Sequence, residues 1–165
     1  MGVYRTSRNL EASFIQYLQD EMTDAWSNVT VEKGMSKVYS EDVSLPIVTI
    51  RLNTSIINYA ELGSSLIYRN MNVLIQVYAE SDGQRLDLKD FLIDKIKGGC
   101  PYYEYYIEAN ANAAGTIKRK VANGRIHITK ITDTPIDFDM EKQNLNRKDR
   151  FRHMLSINCS INKAE

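Results

Sequence analysis

The sequence predicts an α+β fold: a mostly antiparallel sheet with two main helices packed on one of its faces. Apolar residues recur at helical spacing in two stretches, and β-branched residues alternate with polar ones in several others. These stretches follow one another in the order helix, strands, helix, strands, which is typical of this class. A length of 165 residues suits one domain of roughly 150 residues. We therefore expect a single domain over residues 1–165.

The first helix is predicted at Asn9–Ser27. Apolar side chains recur every four residues from Phe14 to Trp26 and mark the face that enters the core. Asn9 is of a residue type that caps helix N-termini. Glu11 would then lie in the first turn, where the helix dipole favours an anion.

Two longer strands are predicted next, after a short extended piece at Val29–Val31. Pro46–Leu52 is rich in β-branched residues that alternate between two faces, and Pro is tolerated at the first position of a strand. Tyr68–Ala79 has the clearest alternation in this part of the sequence. Residues 53–68 lie between the two strands, have mixed character, and are interpreted as a long loop.

The second helix is predicted to begin at a capping box. Ser81 is followed three residues later by Gln84, and such a pair can satisfy backbone N–H groups at a helix start. The apolar seam runs from Leu88 to Ile96. A Gly-Gly pair at 98–99 then supplies the residue type that most often ends a helix.

The last third of the sequence is predicted to be rich in β-structure. Tyr102–Ala109 can form a strand. An Asn-Gly pair, the strongest short hairpin signal, lies between Thr116–Val121 and Arg125–Thr132, so we predict that these two segments form a β-hairpin. Residues 133–150 are polar and charged and are expected to form a second long loop. Phe151–Ile161 alternates cleanly, which predicts a half-buried antiparallel strand.

The sequence contains no motif of an enzyme or of a cofactor site. It lacks the glycine-rich phosphate loops, the nucleophile elbow and the paired-histidine helix of zinc proteases. His153 alternates with apolar residues, which favours a core or interface position. Cys159 is on the same face of that strand but ~20 Å away, too far for a nucleophile pair. We therefore predict that the protein is not an enzyme and has no catalytic, cofactor-binding or metal-binding residues and no cofactor.

Cysteine content and hydropathy restrict the environment of the chain. Cys100 and Cys159 are the two cysteines, too few for a disulfide framework, so a reducing compartment is favoured. No stretch approaches the ~18 apolar residues that a membrane span needs. We expect no membrane partner.

Acidic and basic residues balance, at 21 each. This balance argues against a dedicated nucleic-acid binder, which usually has a strong basic excess. The net charge of zero conceals segments of opposite sign. Residues 98–130 carry a net +3, residues 131–140 a net −3 and residues 141–152 a net +3. The segments are either ordinary solvated strands and loops or patches that set the register of a protein partner.

Four tyrosines in five residues, at 102–106, are the most unusual local feature. A strand there has aromatic side chains on both faces. One face can enter the core, while the other is exposed or buried against a partner, since tyrosine is enriched at interfaces. Purely internal packing is the alternative. The candidate interface residues, which include a nearby basic run, are Tyr102, Tyr103, Tyr105, Tyr106, Lys118, Arg119 and Lys120.

Four stretches in the middle of the chain share a pattern with a known family. They read Leu-Pro-Ile-Val-Thr-Ile-Arg-Leu at 45–52, Ala-Glu-Leu-Gly at 60–63, Asn-Val-Leu-Ile-Gln-Val-Tyr-Ala-Glu-Ser at 72–81 and Gly-Gln-Arg-Leu-Asp-Leu-Lys-Asp-Phe-Leu at 83–92. The region that contains them, Leu45–Ile96, covers about a third of the chain. The pattern resembles the tail terminator and tail-completion (neck) proteins of long-tailed bacteriophages, in which two strands separated by such a turn lead into a helix.

The resemblance implies a small α+β structural protein of the virion that forms a ring, commonly a homohexamer, in the tail or neck. Such a subunit caps the tail tube and joins it to the head connector. Its partners would be copies of itself, the tail tube protein and head connector or adaptor proteins, with DNA passing through the lumen without specific binding. It would assemble in the host cytoplasm and remain in the virion.

Other functions stay open at this point. A head-tail adaptor or another neck protein has a similar size and topology. From other classes, a small soluble enzyme, a ligand-binding α+β domain or a regulatory binding protein are the alternatives, and the missing catalytic motifs disfavour the enzyme.

Overall fold

A computed structural model describes residues 5–59, 61–63, 67–107, 118–136 and 147–162. These residues form an α+β fold, as predicted from the sequence. The elements, in chain order, are α1 (Thr6–Ala25), β1 (Thr30–Lys33), β2 (Ile47–Tyr59), β3 (Ile67–Ala79), α2 (Asp82–Ile96), β4 (Cys100–Ile107), β5 (Lys118–Ile136), a short 3-10 helix (Arg147–Asp149) and β6 (Phe151–Asn162).

The six strands form one curled sheet in the order β1-β2-β3-β6-β5-β4. β1 runs parallel to β2, and every other neighbouring pair is antiparallel. The central pair, β3 with β6, joins segments that are far apart in sequence, because Val73 lies opposite Ile157. Both helices pack on the same face of the sheet and share one core with it.

The core is built from the apolar faces that the sequence predicts. Alternate residues of β3 and β6 are completely buried or nearly so, because one face of each strand meets the helices. The predicted seam of α2, with Leu88 and Ile96 at its ends, is completely buried as well. The capping box is present: the Ser81 hydroxyl accepts a hydrogen bond from the Gln84 backbone N–H, and the Gln84 side chain accepts one from the backbone N–H of Glu80.

Helix α1 joins the two ends of the curled sheet. The Glu11 carboxylate accepts a hydrogen bond from the Leu52 backbone N–H (2.9 Å) and pairs with Lys33 on the first strand (2.8 Å). Two residues further along, the Ser13 hydroxyl accepts a hydrogen bond from the backbone N–H of Tyr103 on β4, the strand at the other edge of the sheet (2.9 Å). Side chains of the helix thus accept hydrogen bonds from backbone N–H groups near both outer strands. The edges of these strands otherwise have unpaired backbone groups.

The opposite face of the sheet is mostly polar, with one apolar patch. The Asn72 side chain donates hydrogen bonds to Ser156 (2.8 Å) and Asn158 (2.7 Å) across the central strand pair. The segment between β1 and β2 covers another part of this face, where Val38 packs with Tyr78 in a small second core. This face therefore needs no third layer of helices.

One lysine fixes that covering segment. The Lys148 ammonium, in the 3-10 helix, donates hydrogen bonds to the backbone carbonyls of Val38, Ser40 and Val43 at 2.6–2.7 Å. The end of the predicted loop 133–150 is therefore packed against its own subunit. Residues 137–146 of that loop lie outside the described residues.

Three boundaries differ from the sequence-based expectations. α1 spans Thr6–Ala25, so Asn9 is buried within the helix and does not cap it, and Glu11 lies beyond the first turn. The first residues of the helix are polar, so apolar periodicity could not detect them. The interpretation of residues 53–68 as a loop is wrong for most of them, because β2 continues to Tyr59 and β3 begins at Ile67.

The predicted hairpin at 116–132 is wrong. β5 is one continuous strand from Lys118 to Ile136, and residue 133 onward extends it. The Asn-Gly pair forms a bulge instead of a turn: Pro101 lies opposite Arg125 and Tyr103 opposite Ala122, so two residues of β5 face one of β4. Gly124 has φ 112°, which suits glycine in a bulge as well as in a turn.

Replacing Ser13 with Ala removes the hydroxyl that accepts the Tyr103 N–H at the sheet edge. We expect the free energy of unfolding to fall by about 1–3 kcal/mol, because a partly buried backbone donor loses its partner. Chemical denaturation of both proteins measures the difference. Thr23→Ala is the matched control, since the Thr23 hydroxyl bonds only to its own helix at an exposed position and surface changes usually stay within about 0.5 kcal/mol. Equal losses in both variants would contradict the bridging role of α1.

Candidate interaction surface

The tyrosine segment divides between the core and a half-buried face. Tyr102 is completely buried in the core, and Glu104 beside it is 6% exposed. Tyr103 and Tyr105 point to the other side of β4 and are half-buried. The Tyr105 hydroxyl donates a long hydrogen bond to the Ala12 carbonyl of α1 (3.4 Å). One face therefore serves folding, and an interface role stays a prediction for Tyr103 and Tyr105.

The basic run lies beside these tyrosines. Lys120 is opposite Tyr105 and Arg119 is opposite Tyr106 in the pairing of β4 with β5. The structure describes the backbone of Tyr106, Lys118, Arg119 and Lys120, and their side chains lie outside the described residues. The fold thus brings the two halves of the predicted interface to one end of the sheet.

A second surface, which the sequence interpretation missed, is a β-ribbon that extends beyond the sheet. We call it the arm: residues 53–59 of β2, the turn residues 61–63 and residues 67–70 of β3. β1 pairs with β2 only over Ile47–Ile50, and β6 pairs with β3 only from Asn70 onward. Beyond those limits, the two strands of the arm pair with each other and with no other described strand.

The arm exposes large apolar side chains on both of its faces. Ile56 is 60% and Ile57 50% exposed, and consecutive residues of a strand point to opposite faces. Tyr59 (71% exposed) shares the face of Ile57, whereas Tyr68 (66%) lies on the face of Ile56. Leu62, at the turn, is fully exposed. Such contiguous apolar exposure is rare on monomers and marks a binding element.

The arm is also unusual as a structural element. An isolated two-stranded ribbon is marginally stable in water, and this one leaves large parts of its apolar side chains exposed. The other long open edge, that of β5 beyond Ile128, carries Thr, Lys and Pro135, residue types that discourage strand pairing. The arm lacks Lys and Pro between residues 53 and 59. The contrast indicates that the arm is suited to being covered by a partner.

A notch lies at the base of the arm. β3 separates from β6 beyond the pair Asn70 and Ser160, while β6 continues beside β5 to Asn162. The space between the separated strands is a groove of about 860 Å³. Its walls carry three amide side chains and three large apolar ones, which are Asn58, Asn70, Asn162, Tyr68, Met71 and Ile161.

A separate group of polar side chains surrounds the buried His153. His153 is 3% exposed, its Nδ1 accepts a hydrogen bond from Arg85 (2.7 Å), and its Nε2 lies 3.7 Å from Asp133. No nucleophilic side chain contacts this group among the described residues. Burial raises the thiol pKa of both Cys100 and Cys159 to about 12, so neither is a ready thiolate.

Metal-binding and membrane-spanning features are missing from the same part of the chain. The described ranges contain no group of three or more His, Cys, Asp or Glu side chains placed to hold a metal ion. No helix within them has the length and apolar character for crossing a bilayer. The exposed arm and its notch are therefore the surface on which a function can be argued.

Comparison with known proteins does not add a relative. A scan against models of protein families and a search of curated proteins found no match to this chain. The arm has to be interpreted from its own geometry. Its sequence signal was the run Thr54–Ile57, which is β-branched enough for a strand, followed by a glycine, Gly63, with φ 84° in the turn.

Replacing His153 with Gln should flatten the pH dependence of stability. Burial, and then the positive charge of Arg85, lower the pKa of His153 below its ordinary 6.5. Below about pH 6.5 the unfolded chain binds a proton that the folded chain resists, so stability falls as the pH drops, by at most about 1.4 kcal/mol per pH unit for one proton. Above that pH the effect is absent.

Urea denaturation between pH 5 and pH 8 measures this dependence, where the pH limits bracket the ordinary pKa of histidine, about 6.5. The introduced glutamine keeps an acceptor for Arg85 but does not titrate. His127→Gln removes the other, exposed imidazole and should leave the dependence as in the wild type because His153 is still present. An unchanged slope in His153→Gln would show that other groups cause it.

Proposed function

We propose that the chain is a structural virion protein of a tailed phage, a ring-forming tail terminator or neck subunit. The ring would cap the tail tube and join it to the head connector. The observation that carries the proposal is the arm, a β-ribbon that exposes large apolar side chains on both of its faces within the described part of the chain. A protein whose most accessible element is two-sided and apolar is suited to assembly.

The resemblance at Leu45–Ile96 supports the same function. It spans β2, the arm and β3, and ends in α2, so the family-like part of the chain contains the exposed element. The Ala-Glu-Leu-Gly stretch includes the fully exposed Leu62 and Gly63 in the turn of the arm. A fully exposed leucine in a turn is easier to explain if a partner covers it in an assembled state than if the subunit remains a monomer.

Charge is compatible with DNA in the lumen of a ring. The chain as a whole is neutral, with 21 basic and 21 acidic residues. Strong binding to a phosphate backbone requires a basic excess, and DNA that has to pass through a ring is better served by weak contact. The ring is proposed as a homohexamer that contacts the tail tube protein on one side and head connector or adaptor proteins on the other.

Ile57→Ser together with Tyr59→Ser should abolish self-assembly and leave folding intact. Both side chains lie on one exposed face of the arm, so the isolated subunit loses little burial and its unfolding free energy should change by less than about 0.5 kcal/mol. Size-exclusion chromatography with light scattering measures the mass, with and without added tail tube protein. The wild type should show a closed oligomer.

Leu86→Ser is the matched control for this change. Leu86 is an exposed leucine on α2 (39%), away from the arm, and its replacement should not alter the oligomer. If the wild type stayed monomeric at every concentration and with tail tube protein added, the ring function would be refuted.

Removing the protein from a phage tests the position in the virion. Without the terminator, tail tubes should have irregular length and fail to join heads, because nothing stops tube growth or provides the docking surface. Negative-stain electron microscopy of lysates measures tail length and the fraction of heads with tails. Complementation with the Leu86→Ser variant should restore normal particles, and the arm variant should not. Tails of normal length joined to heads in the absence of the protein would rule out the terminator function.

A further inference from the structure

We propose that the arm of one copy inserts into the notch of the next copy, so that arms and notches alternate around the ring. This inference rests on the proposed function for the existence of the ring and adds the surface and the partner of each contact. The occupant of the notch is thus a second copy of this chain. Three features support this contact: the shape of the notch, the side-chain types of arm and notch, and the exposure of both faces of the arm.

The notch is shaped for a β-ribbon. It lies between two separating strands, and residues 67–69 of β3 and 161–162 of β6 border it with edges that no other described strand pairs with on that side. Strand edges are templates for pairing with another extended chain. A ribbon such as the arm can therefore meet backbone donors and acceptors on both walls of the groove.

The side chains of arm and notch match in type. The arm carries Ile and Tyr side chains beside Asn58 and Asn70, and these two amides also line the notch together with Asn162 and neighbouring apolar groups. Arg69 lies in the notch, and Glu61 is exposed in the turn of the arm. An incoming arm would bring its Glu61 toward the Arg69 of the receiving copy, so the charges are complementary.

Both apolar faces of the arm are explained by this arrangement. Tyr68 and Arg69, which point to opposite faces of the arm, both line the subunit's own notch, so the arm of the preceding copy covers the strand edge that carries them and part of the Tyr68 side chain. The face with Ile57 and Tyr59 enters the notch of the following copy. A two-fold dimer, arm against arm, would cover one face and leave the other exposed. A head-to-tail contact uses two different surfaces and closes into a ring when the rotation permits.

The area is of the right order for such a contact. Five side chains of the arm are at least half exposed: Ile56, Ile57, Tyr59, Leu62 and Tyr68. At ~200 Å² for a large side chain, they expose roughly 700 Å² between them. A partner in a standard interface contributes ~800 Å². Because the two faces of the arm meet two different copies, this apolar area is divided between two contacts, and the flanking amides and strand edges supply the remainder of each.

Disulfide cross-linking between two variants, each with one introduced cysteine, tests the insertion. Leu62→Cys places a thiol in the turn of the arm, and Asn162→Cys places one at the far wall of the notch, both at exposed positions. The two variants are mixed in equal amounts, one with a mass tag, under mild oxidation. Cys100 and Cys159 are buried with a thiol pKa of about 12, so they should not compete.

We expect the 62–162 product to form at least about ten-fold more than the product of a Leu86→Cys and Asn162→Cys mixture, since docked thiols reach millimolar effective concentration. Cross-links between two Leu62→Cys chains alone would show arm-to-arm pairing and overturn the inference. An oligomer seen by light scattering without the 62–162 product would overturn it too and leave the proposed ring intact. A monomer without any product would refute both.

Discussion

The fold depends on a helix that holds the two ends of one sheet. α1 binds the first strand and the neighbouring Leu52 through Glu11, and β4 at the other edge of the sheet through Ser13. A sheet that twists in one direction brings its outer strands round on the same side, and a helix placed there can satisfy backbone groups of both. The closure of the main core on one face of the sheet and the protection of the β4 edge both depend on this bridge.

This bridge also separates folding from assembly. The core beneath the helices contains the buried faces of β3, β6, α1 and α2, whereas the arm begins where β2 and β3 leave that core. Its described large apolar side chains are at least half exposed, so they contribute less burial to the fold than the core residues do.

Sequence patterns predicted the parts of the fold that have one buried face and one solvent-exposed face. Val73 and Ile157 alternate with polar residues because water meets the other side of their strands, and Ser81 with Gln84 marks the start of α2 through a local bond. The arm was not predicted because both of its faces are exposed, so apolar and polar residues need not alternate there. Apolar periodicity reveals a strand only when one face is buried and the other is exposed to solvent, and the two faces of the arm do not differ in this way.

The remaining errors have equally local causes. The Asn-Gly pair signals a backbone with positive φ, and a bulge at Gly124 satisfies that as fully as a turn does. Only the position of β4, which is remote in sequence, decides between the two. The tyrosine segment was correctly expected to place one face in the core, where Tyr102 lies, but no pattern could show that α1 covers part of the other face.

The order of strands has a kinetic consequence. The pairing of β2 with β3 is local, whereas β3 meets β6 only after about half of the chain has been placed between them. Loop closure delays such distant contacts, so the β2–β3 ribbon with its apolar faces forms before the body that carries it. During that interval a nascent chain already exposes the large apolar side chains of the arm. Fast completion of β6, which follows the other described strands in the chain, then shortens the time in which this exposed ribbon can aggregate.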